Sequence, residues 1–241
     1  MQTLWKGFAC EEFEFEGYKA RVVFPEEGKA VGKLALKTLY WGAFADVEVG
    51  LLNNGYHLAY LERRSRFPSQ EESERTARFV QLVSEKNNLN GKCVLVGMSL
   101  GGAYAMRFAY YHPELVSCIY LDAPVLNYCD FPARVGIPFN EQVWENEFLK
   151  VFPGMKRYQM MGFQEHPIDA IDTVKAHKIP VLMVYGEEDC TVPYKEHGLL
   201  MEQAYAGSDL LKIVPVAYRG HHPHGKIGDS SELVQYILEH S

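Results

Sequence analysis

The sequence has few cysteines and no long apolar run, and these absences exclude several classes of protein. Its five cysteines are scattered along the chain and form no CxxC pair, so we expect neither a disulfide framework nor a zinc ribbon. No apolar run approaches the roughly 20 residues that a membrane-spanning helix needs. The N-terminal segment carries Glu11 and Glu12 instead of the apolar core of a secretory signal. These features predict a cytoplasmic protein that does not enter a membrane.

An excess of positive charge is also missing. Lysine and arginine number 24 against 31 aspartates and glutamates, a net charge of −7, which argues against nucleic acid or an anionic membrane as the partner. A local basic patch at Arg63, Arg64 and Arg66 is compatible with this balance. The partner that we expect is a small molecule, and the sequence leaves the oligomeric state open.

What the 241-residue sequence does contain is an alternation of strands and helices. Alternating apolar residues predict two strands around Glu16-Gly17. Further strands are predicted at 33–40, 56–61, 92–97, 116–121, 179–185 and 210–214, and helices at 46–54, 69–87, 100–111, 194–206 and 231–239. Ser69, with Glu72 three residues later, has the pattern of a helix N-cap. This order predicts an α/β fold with a mostly parallel sheet and helices on both of its faces.

One stretch, residues 126–167, interrupts the alternation with four prolines and many aromatic residues. We interpret it as a cap inserted over one end of the sheet, with residues 1–125 and 168–241 forming the core domain. The alternative is an irregular crossover with a small core of its own. Trp144 and Phe148 illustrate the choice, since such aromatics could line a substrate pocket under the cap or fill that small core.

A Gly-x-Ser-x-Gly pentapeptide, Gly97 to Gly101, is the strongest candidate for a catalytic motif. It directly follows the strand predicted at 92–97 and opens the next helix, which is the strand–turn–helix setting of a nucleophile elbow. Ser99 would project from the sheet edge, with a helix N-terminus behind it that favours developing negative charge. The glycines leave room where the strand and helix backbones meet.

A serine hydroxyl needs a base to take its proton, and that base needs an acid to orient it. Asp189 is the favoured acid because it lies just beyond the strand that ends near Tyr185. Asp122, which directly follows another predicted strand, is the alternative acid. Glu187 and Glu188 are weaker candidates.

The base is predicted in the loop after the last strand, where His221, His222 and His224 stand close together. A preceding glycine favours His221 and the loop length favours His222, so both remain candidates, with His224 third. The alternative use of such a cluster is zinc binding, although one loop rarely supplies a closed zinc site. His57 lies inside a predicted strand, where a packed histidine is the simpler interpretation.

Negative charge that develops on a substrate oxygen needs hydrogen-bond donors. The backbone N–H of Leu100, the residue after the nucleophile, is the first candidate. The second donor is expected in the loop after the strand at 33–40, from the backbone N–H of Trp41 or Ala43. Together these groups would form an oxyanion hole.

With its motifs in the order nucleophile, acid, histidine, the chain resembles the α/β-hydrolase superfamily over about residues 18–239. It is similar in particular to a bacterial group of serine esterases with an aromatic-Trp-Gly loop, a GMSxGG elbow, a strand ending in IYxDAPV and a GHHPH loop. The resemblance implies acyl transfer to water through Ser99, a histidine and Asp189, with no metal and no cofactor. The chain departs from the usual pattern at Trp41, where histidine is common, and at Leu100, where the group often has arginine.

The expected substrate is a small carboxylic ester, and an acetylated carbohydrate is one candidate. An amide or peptide, a thioester or a C–C bond could be cleaved by the same three residues, because the fold alone does not decide the bond. A catalytically silent hydrolase fold used for binding is the alternative from another class. An incomplete triad would favour it, but the sequence supplies all three members.

Overall fold

Nine strands form one mixed sheet in the computed structural model, which describes residues 2–136, 142–221 and 229–241. The strands are β1 (Gln2–Trp5), β2 (Phe8–Phe15), β3 (Tyr18–Val23), β4 (Leu34–Lys37), β5 (His57–Leu61), β6 (Cys93–Met98), β7 (Val116–Asp122), β8 (Val181–Gly186) and β9 (Leu211–Val216). Their order across the sheet is β1-β2-β3-β5-β4-β6-β7-β8-β9. The pairs from β1 to β5 are antiparallel, and those from β5 to β9 are parallel. The prediction of a mostly parallel sheet is confirmed.

The described residues form α-helices at the five predicted positions and at two others. They are α1 (Asp46–Asn53), α2 (Gln70–Lys86), α3 (Leu100–Tyr111), α4 (Leu149–Val151), α5 (Ile171–Ala176), α6 (Gly198–Ala204) and α7 (Ser231–His240). Short 3₁₀ helices occur at Pro113–Leu115, Arg157–Gly162, Pro167–Ala170 and Tyr194–Glu196, and a π-helical turn at Trp144–Phe148. Helix α2 starts at the predicted cap, where Ser69 Oγ accepts the Glu72 N–H at 3.2 Å. None of the described helices is both long and apolar enough to cross a membrane.

Apolar side chains alternate between the two faces of the parallel strands, so each face receives its own helices. In β6, Leu95 packs on the face covered by α2, α3, α5 and α6. Val94 and Val96 pack on the opposite face, against α1 and α7. The predicted layers on both faces are therefore confirmed. Because β4, β6, β7 and β8 run parallel, their carboxyl ends meet at one edge of the sheet.

Four elements differ from the prediction. Helices α4 and α5 lie where the sequence analysis predicts no helix. β1 pairs with β2 at the sheet edge, and this strand of four residues is too short to give a pattern of its own. The helix predicted at 194–206 is divided at His197 into a 3₁₀ helix and α6. The His197 Nδ1 accepts the backbone N–H groups of Leu126 and Asn127 at 3.0 and 3.1 Å. These tertiary bonds fix a backbone conformation at His197 that is not helical.

Residues 126–167 contain no strand in the part that the structure describes. Tyr128 and Phe148 from this stretch pack in one apolar cluster with Leu100 and Val192, which follow β6 and β8. The stretch therefore lies against the carboxyl end of the sheet. The division of the chain into a core domain and a cap stays a prediction.

Candidate active site

Ser99 lies in a tight turn between β6 and α3. Its φ of 51° and ψ of −122° are outside the regions that L-residues favour, which costs roughly 1–3 kcal/mol and requires support from the surroundings. The Ser99 N–H donates to the carbonyl oxygen of Asp122, and the Ser99 carbonyl accepts the Val125 N–H, both at 2.9 Å. The end of β7 thus holds the strained turn in place.

The turn also requires glycine at two positions beside it. A Cβ on Gly97 would lie 2.6 Å from the carbonyl oxygen of Gly101, and a Cβ on Gly102 would lie 2.9 Å from the Cα of Pro124. Real Cβ atoms do not approach other atoms so closely. The missing side chains let the first turn of α3 lie directly behind Ser99.

His221 connects Ser99 with Asp189. Its Nε2 lies 3.1 Å from the Ser99 Oγ, and its Nδ1 lies 2.8 Å from the Asp189 Oδ2. In the tautomer that fits both contacts, Nδ1–H donates to the carboxylate and Nε2 accepts the hydroxyl proton. The other oxygen of Asp189 accepts the backbone N–H groups of Thr191 and Val192 at 2.8 and 2.9 Å. The three side chains form one chain of hydrogen bonds.

The environment keeps Asp189 ionised. Burial by itself would raise the pKa of Asp189, but the hydrogen bonds from His221 and from the backbone N–H groups of Val192 and Thr191 outweigh burial. The net pKa lies below the ordinary value of 3.8. A carboxylate in this state orients the imidazole and stabilises the positive charge that forms when the imidazole takes a proton.

Asp122, the alternative acid, has a different partner. Its Oδ1 accepts a 2.6 Å hydrogen bond from the Arg219 Nη2, and both side chains are buried. Its contact with Ser99 is made through the backbone carbonyl described above. Glu187 and Glu188 are exposed to solvent. Of the four predicted acids, Asp189 is the one that hydrogen-bonds the imidazole of His221.

Of the predicted histidines, the structure places His221 at Ser99, whereas His222 and His224 lie outside the described residues. His57 is the first residue of β5, at the opposite end of the parallel strands from Ser99. It is buried, burial lowers its pKa, and its Nδ1 has no hydrogen-bond partner within the described part of the chain. His57 is therefore a packed, neutral histidine.

A cavity of about 300 Å³ opens beside Ser99. Most of its wall is apolar and is formed by residues such as Phe44, Leu100, Phe131 and Val192. This volume is at the lower end of the range for pockets that hold small ligands. The apolar wall and the limited volume suit a small organic molecule.

Tyr40 and Arg66 also line this cavity, and the sequence does not single out either for catalysis. The Tyr40 hydroxyl interacts with Arg66 and with Ser99. Burial raises the pKa of Tyr40 and outweighs the lowering effect of Arg66, so the phenol keeps its proton. The Arg66 guanidinium forms two hydrogen bonds with the carboxylate of Glu147. These partners are 81 positions apart, which leaves no local signal in the sequence.

The predicted oxyanion donors have different surroundings. Leu100 begins α3, where the first N–H groups of a helix lack an intrahelical acceptor, and it lines the cavity. The Ala43 N–H donates to the carbonyl oxygen of Tyr40 at 3.1 Å, so it already has an acceptor. Trp41 is not among the described residues that line the cavity, and its ring lies 4.9 Å from the Trp5 ring, measured between centroids. Leu100 is therefore the predicted donor whose position agrees best with the cavity.

Trp144 and Phe148, predicted as part of a substrate pocket, are not found among the described walls of this cavity. Their rings stack with centroids 4.6 Å apart, and both side chains are buried. Phe148 also packs edge-on against Phe67 and Tyr128. The structure places this pair in an apolar cluster, which agrees with the alternative that these aromatics fill a small core. Their role in a substrate pocket stays a prediction.

Comparisons with known proteins identify the family of this chain and its fold. Residues 60–195, more than half of the chain, match the model of a family described as "Putative esterase". No curated protein matches the chain significantly. Est1E from Butyrivibrio proteoclasticus superposes with a TM-score of 0.69 at 15% identity, over 96% of this chain and 98% of that chain.

Two further solved structures are similar over nearly their whole length. A truncated carbohydrate esterase from gut microbiota has a TM-score of 0.70 at 16% identity, over 95% of this chain and 92% of that chain. An S-formylglutathione hydrolase from Agrobacterium tumefaciens has a TM-score of 0.65 at 15% identity, over 100% and 97%. At these identities the likeness shows the fold.

Proposed function

This chain belongs to the esterase family and has the α/β-hydrolase fold, and from that premise we propose that it is a serine hydrolase of small carboxylic esters. The observation that carries the proposal is the chain of hydrogen bonds from Ser99 through His221 to Asp189, at the wall of a small cavity. A hydroxyl paired with an oriented imidazole is the arrangement that activates a serine as a nucleophile.

In the first half of the reaction, the Ser99 Oγ attacks the ester carbonyl carbon while His221 Nε2 takes the hydroxyl proton. Asp189 stabilises the resulting imidazolium. The tetrahedral intermediate collapses, the bond to the alcohol oxygen breaks, and His221 returns the proton to that oxygen. The products are a free alcohol and an acyl group on Ser99. The 3.1 Å contact between Nε2 and Oγ is within the distance that direct proton transfer requires.

In the second half, a water molecule attacks the acyl carbonyl and His221 takes its proton. Collapse of this second intermediate releases the carboxylic acid and returns the proton to Ser99. His221 therefore acts as base and acid in turn. The sequence leaves His222 as an equal candidate, and we choose His221 because its two nitrogens contact Ser99 and Asp189. No metal or cofactor takes part in this scheme.

We assign the first oxyanion donor to the Leu100 N–H, as the sequence predicts, and the second to the Tyr40 hydroxyl. A guanidinium has donors and no acceptor, so in the contact with Arg66 the Tyr40 oxygen accepts. The proton of Tyr40 is then available to a group in the cavity. The interaction of this hydroxyl with Ser99 supports the assignment. Trp41 stays a predicted donor, whereas the Ala43 N–H would first have to leave the Tyr40 carbonyl.

The cavity supports a small acyl or alcohol group as the part of the substrate nearest Ser99. An acetyl group fits a volume of about 300 Å³ with room for part of the alcohol. An acetylated carbohydrate is one class to test, because one structural neighbour is described as a carbohydrate esterase. Ferulic acid, an aromatic acid, is bound in a structure of Est1E, so aromatic acyl esters are a second class.

The test is hydrolysis of p-nitrophenyl esters, from acetate to octanoate, by the wild type and by Ser99→Ala. We expect turnover by the wild type, fastest with the short acyl chains, and a loss of about 10³-fold or more in Ser99→Ala. Circular dichroism and urea unfolding serve as the folding control for the variant. Equal activity of a folded Ser99→Ala would refute the mechanism. Absence of turnover by the wild type would favour the silent binding fold or another bond type.

A further inference from the structure

A second cavity lies next to the one at Ser99. It has a volume of about 350 Å³ and lies between residues 63–66, which follow β5, and residues 146–151. Arg66 lines both cavities. The two cavities therefore adjoin at Arg66, and we call the second one the basic groove.

The charged side chains of the basic groove are mostly cationic. Arg63, Arg64, Arg66 and Lys150 line it, against one acidic residue, Glu147. Such a concentration is unusual in a chain whose net charge is −7. The three arginines are the patch that the sequence shows, and the proposed reaction uses Arg66 alone of the three, through its contact with Tyr40. Lys150 joins them from the stretch 126–167, so two distant segments supply the charge.

The carboxylates nearby balance only part of this charge. Both oxygens of Glu147 bind the guanidinium of Arg66. Arg63 Nη1 lies 3.4 Å from Glu72, and Glu72 is shared with Arg75 at 2.6 Å. Arg64 and Lys150 form no ion pair with any carboxylate of the described residues.

The cations Arg64 and Lys150 are exposed to solvent. The guanidinium carbon of Arg64 lies 4.5 Å from the centroid of the Tyr18 ring, which holds that side chain without neutralising it. The groove also contains the side chains of Ser65 and Asn146, which can donate hydrogen bonds to an anion. Uncompensated positive charge of this kind attracts anionic ligands and raises their local concentration.

We propose that the basic groove binds a negatively charged group carried by the ester substrate. The inference rests on the proposed function for the place of the ester carbonyl at Ser99. It adds the substrate class: an ester with a carboxylate or similar anionic group on one side of the bond. Arg66 separates the two cavities, so the anionic group lies on the far side of Arg66 from the reacting carbonyl.

The first test measures binding without catalysis. Phenylbutanoate and its neutral amide, phenylbutanamide, are titrated calorimetrically into the wild type, Lys150→Gln and Lys92→Gln. Lys92 is the matched control because it is an exposed lysine at the far end of β6 from Ser99. The length of the strand, about 20 Å, separates the two residues. We expect the wild type and Lys92→Gln to bind the carboxylate more tightly than the amide.

In Lys150→Gln the affinity for the carboxylate should fall about two- to fivefold, as for the loss of one exposed charge pair, and the affinity for the amide should not change. The double variant Arg64→Gln/Lys150→Gln should lose more, and added salt should reduce the effect in the wild type. Equal binding of carboxylate and amide by the wild type would overturn the proposal. So would an undetectable affinity for the carboxylate, or an equal loss in Lys92→Gln.

The second test locates the charge within the substrate. The ratio of kcat/KM for phenyl hemisuccinate to that for phenyl butanoate reports a charge on the acyl side. The ratio for carboxyphenyl acetate to phenyl acetate reports a charge on the alcohol side. Lys150→Gln should lower one of these ratios about two- to fivefold and leave the neutral esters unchanged.

The two hypotheses fail separately in these tests. Neutral esters that are hydrolysed with no dependence of either ratio on Lys150 would refute the groove and leave the esterase intact. Anion binding that depends on Lys150, with no ester hydrolysed, would refute the esterase and leave the groove.

Discussion

Replacing Asp189 by asparagine tests the assignment of the acid in depth, because the structure determines how the new amide must sit. One oxygen of Asp189 accepts two backbone N–H groups, from Thr191 and Val192. Only the amide oxygen of asparagine can replace that acceptor. The NH₂ group then takes the place of the oxygen that faces His221 Nδ1.

An NH₂ group in this position requires Nδ1 to be the acceptor, so the single proton of the neutral imidazole moves to Nε2. In that tautomer His221 cannot take the proton of Ser99. A change of this kind lowers kcat about 10³- to 10⁴-fold, which corresponds to roughly 4–5.5 kcal/mol of lost transition-state stabilisation. Folding should be preserved, since the bonds from Thr191 and Val192 remain.

Asp122→Asn is the matched comparison, because Asp122 also ends a neighbouring parallel strand. It removes the charge that pairs with buried Arg219, and leaving a buried charge unpaired costs about 3–5 kcal/mol of unfolding free energy. The folded fraction should keep most of its kcat, because the hydrogen bond of the His221 Nδ1 is made with Asp189. The assay combines steady-state kinetics on p-nitrophenyl acetate with urea unfolding of both variants. If Asp189→Asn stays active, or if Asp122→Asn loses activity to the same extent while remaining stable, the assignment is wrong.

Three further predictions follow from the same structure. In steady-state kinetics, His221→Ala should lower kcat about 10³-fold or more, and His222→Ala should have little effect on kcat. A large loss of kcat in His222→Ala with little loss in His221→Ala would transfer the role of base to His222. Gly102→Ala should cost about 1–3 kcal/mol of unfolding free energy, because the new Cβ would collide with Pro124. Gly162→Ala is the control and should be near neutral, because its new Cβ would have no other atom within 4 Å. Equal urea midpoints for the two variants would contradict this prediction. Burial by itself would raise the pKa of Asp130, but the hydrogen bonds from His197 and Arg134 outweigh it, so the pKa lies below 3.8. The ionised carboxylate therefore contributes its full share of the unfolding free energy above pH 3.8, and this contribution is lost as pH falls through the lowered pKa. The stability gap between wild type and Asp130→Asn should therefore shrink below about pH 4, and a gap that widens there would refute the sign.

Much of the fold could be predicted from local sequence. The buried runs at 92–97 and 116–121 have the length and composition of central parallel strands, and they coincide with β6 and β7. The helix N-cap at Ser69 could be predicted because its partner is three residues away. The break in the helix at His197 could not be predicted, because it depends on backbone groups at residues 126 and 127 that are distant in the sequence.

The site divides in the same way. Gly97 to Gly101 gives a local signal because the tight turn itself requires small residues. The choice between Asp122 and Asp189 could not be settled locally, since both follow parallel strands and the difference lies in distant partners, Arg219 and His221. The place of Arg66 at the site could not be predicted for the same reason, because its partner Glu147 is 81 positions away in the sequence.

The most direct test of the central claim is covalent labelling of the proposed nucleophile. A fluorophosphonate is incubated with the wild type, Ser99→Ala and His221→Ala, and the intact mass and the modified peptide are measured by mass spectrometry. The serine Oγ forms a bond to phosphorus, fluoride leaves, and His221 takes the proton. We expect one phosphonyl group on the wild type, located at Ser99, and little or none on the two variants. Labelling of Ser99→Ala to the same extent, or a wild type that does not react, would contradict the assignment of Ser99 as the nucleophile.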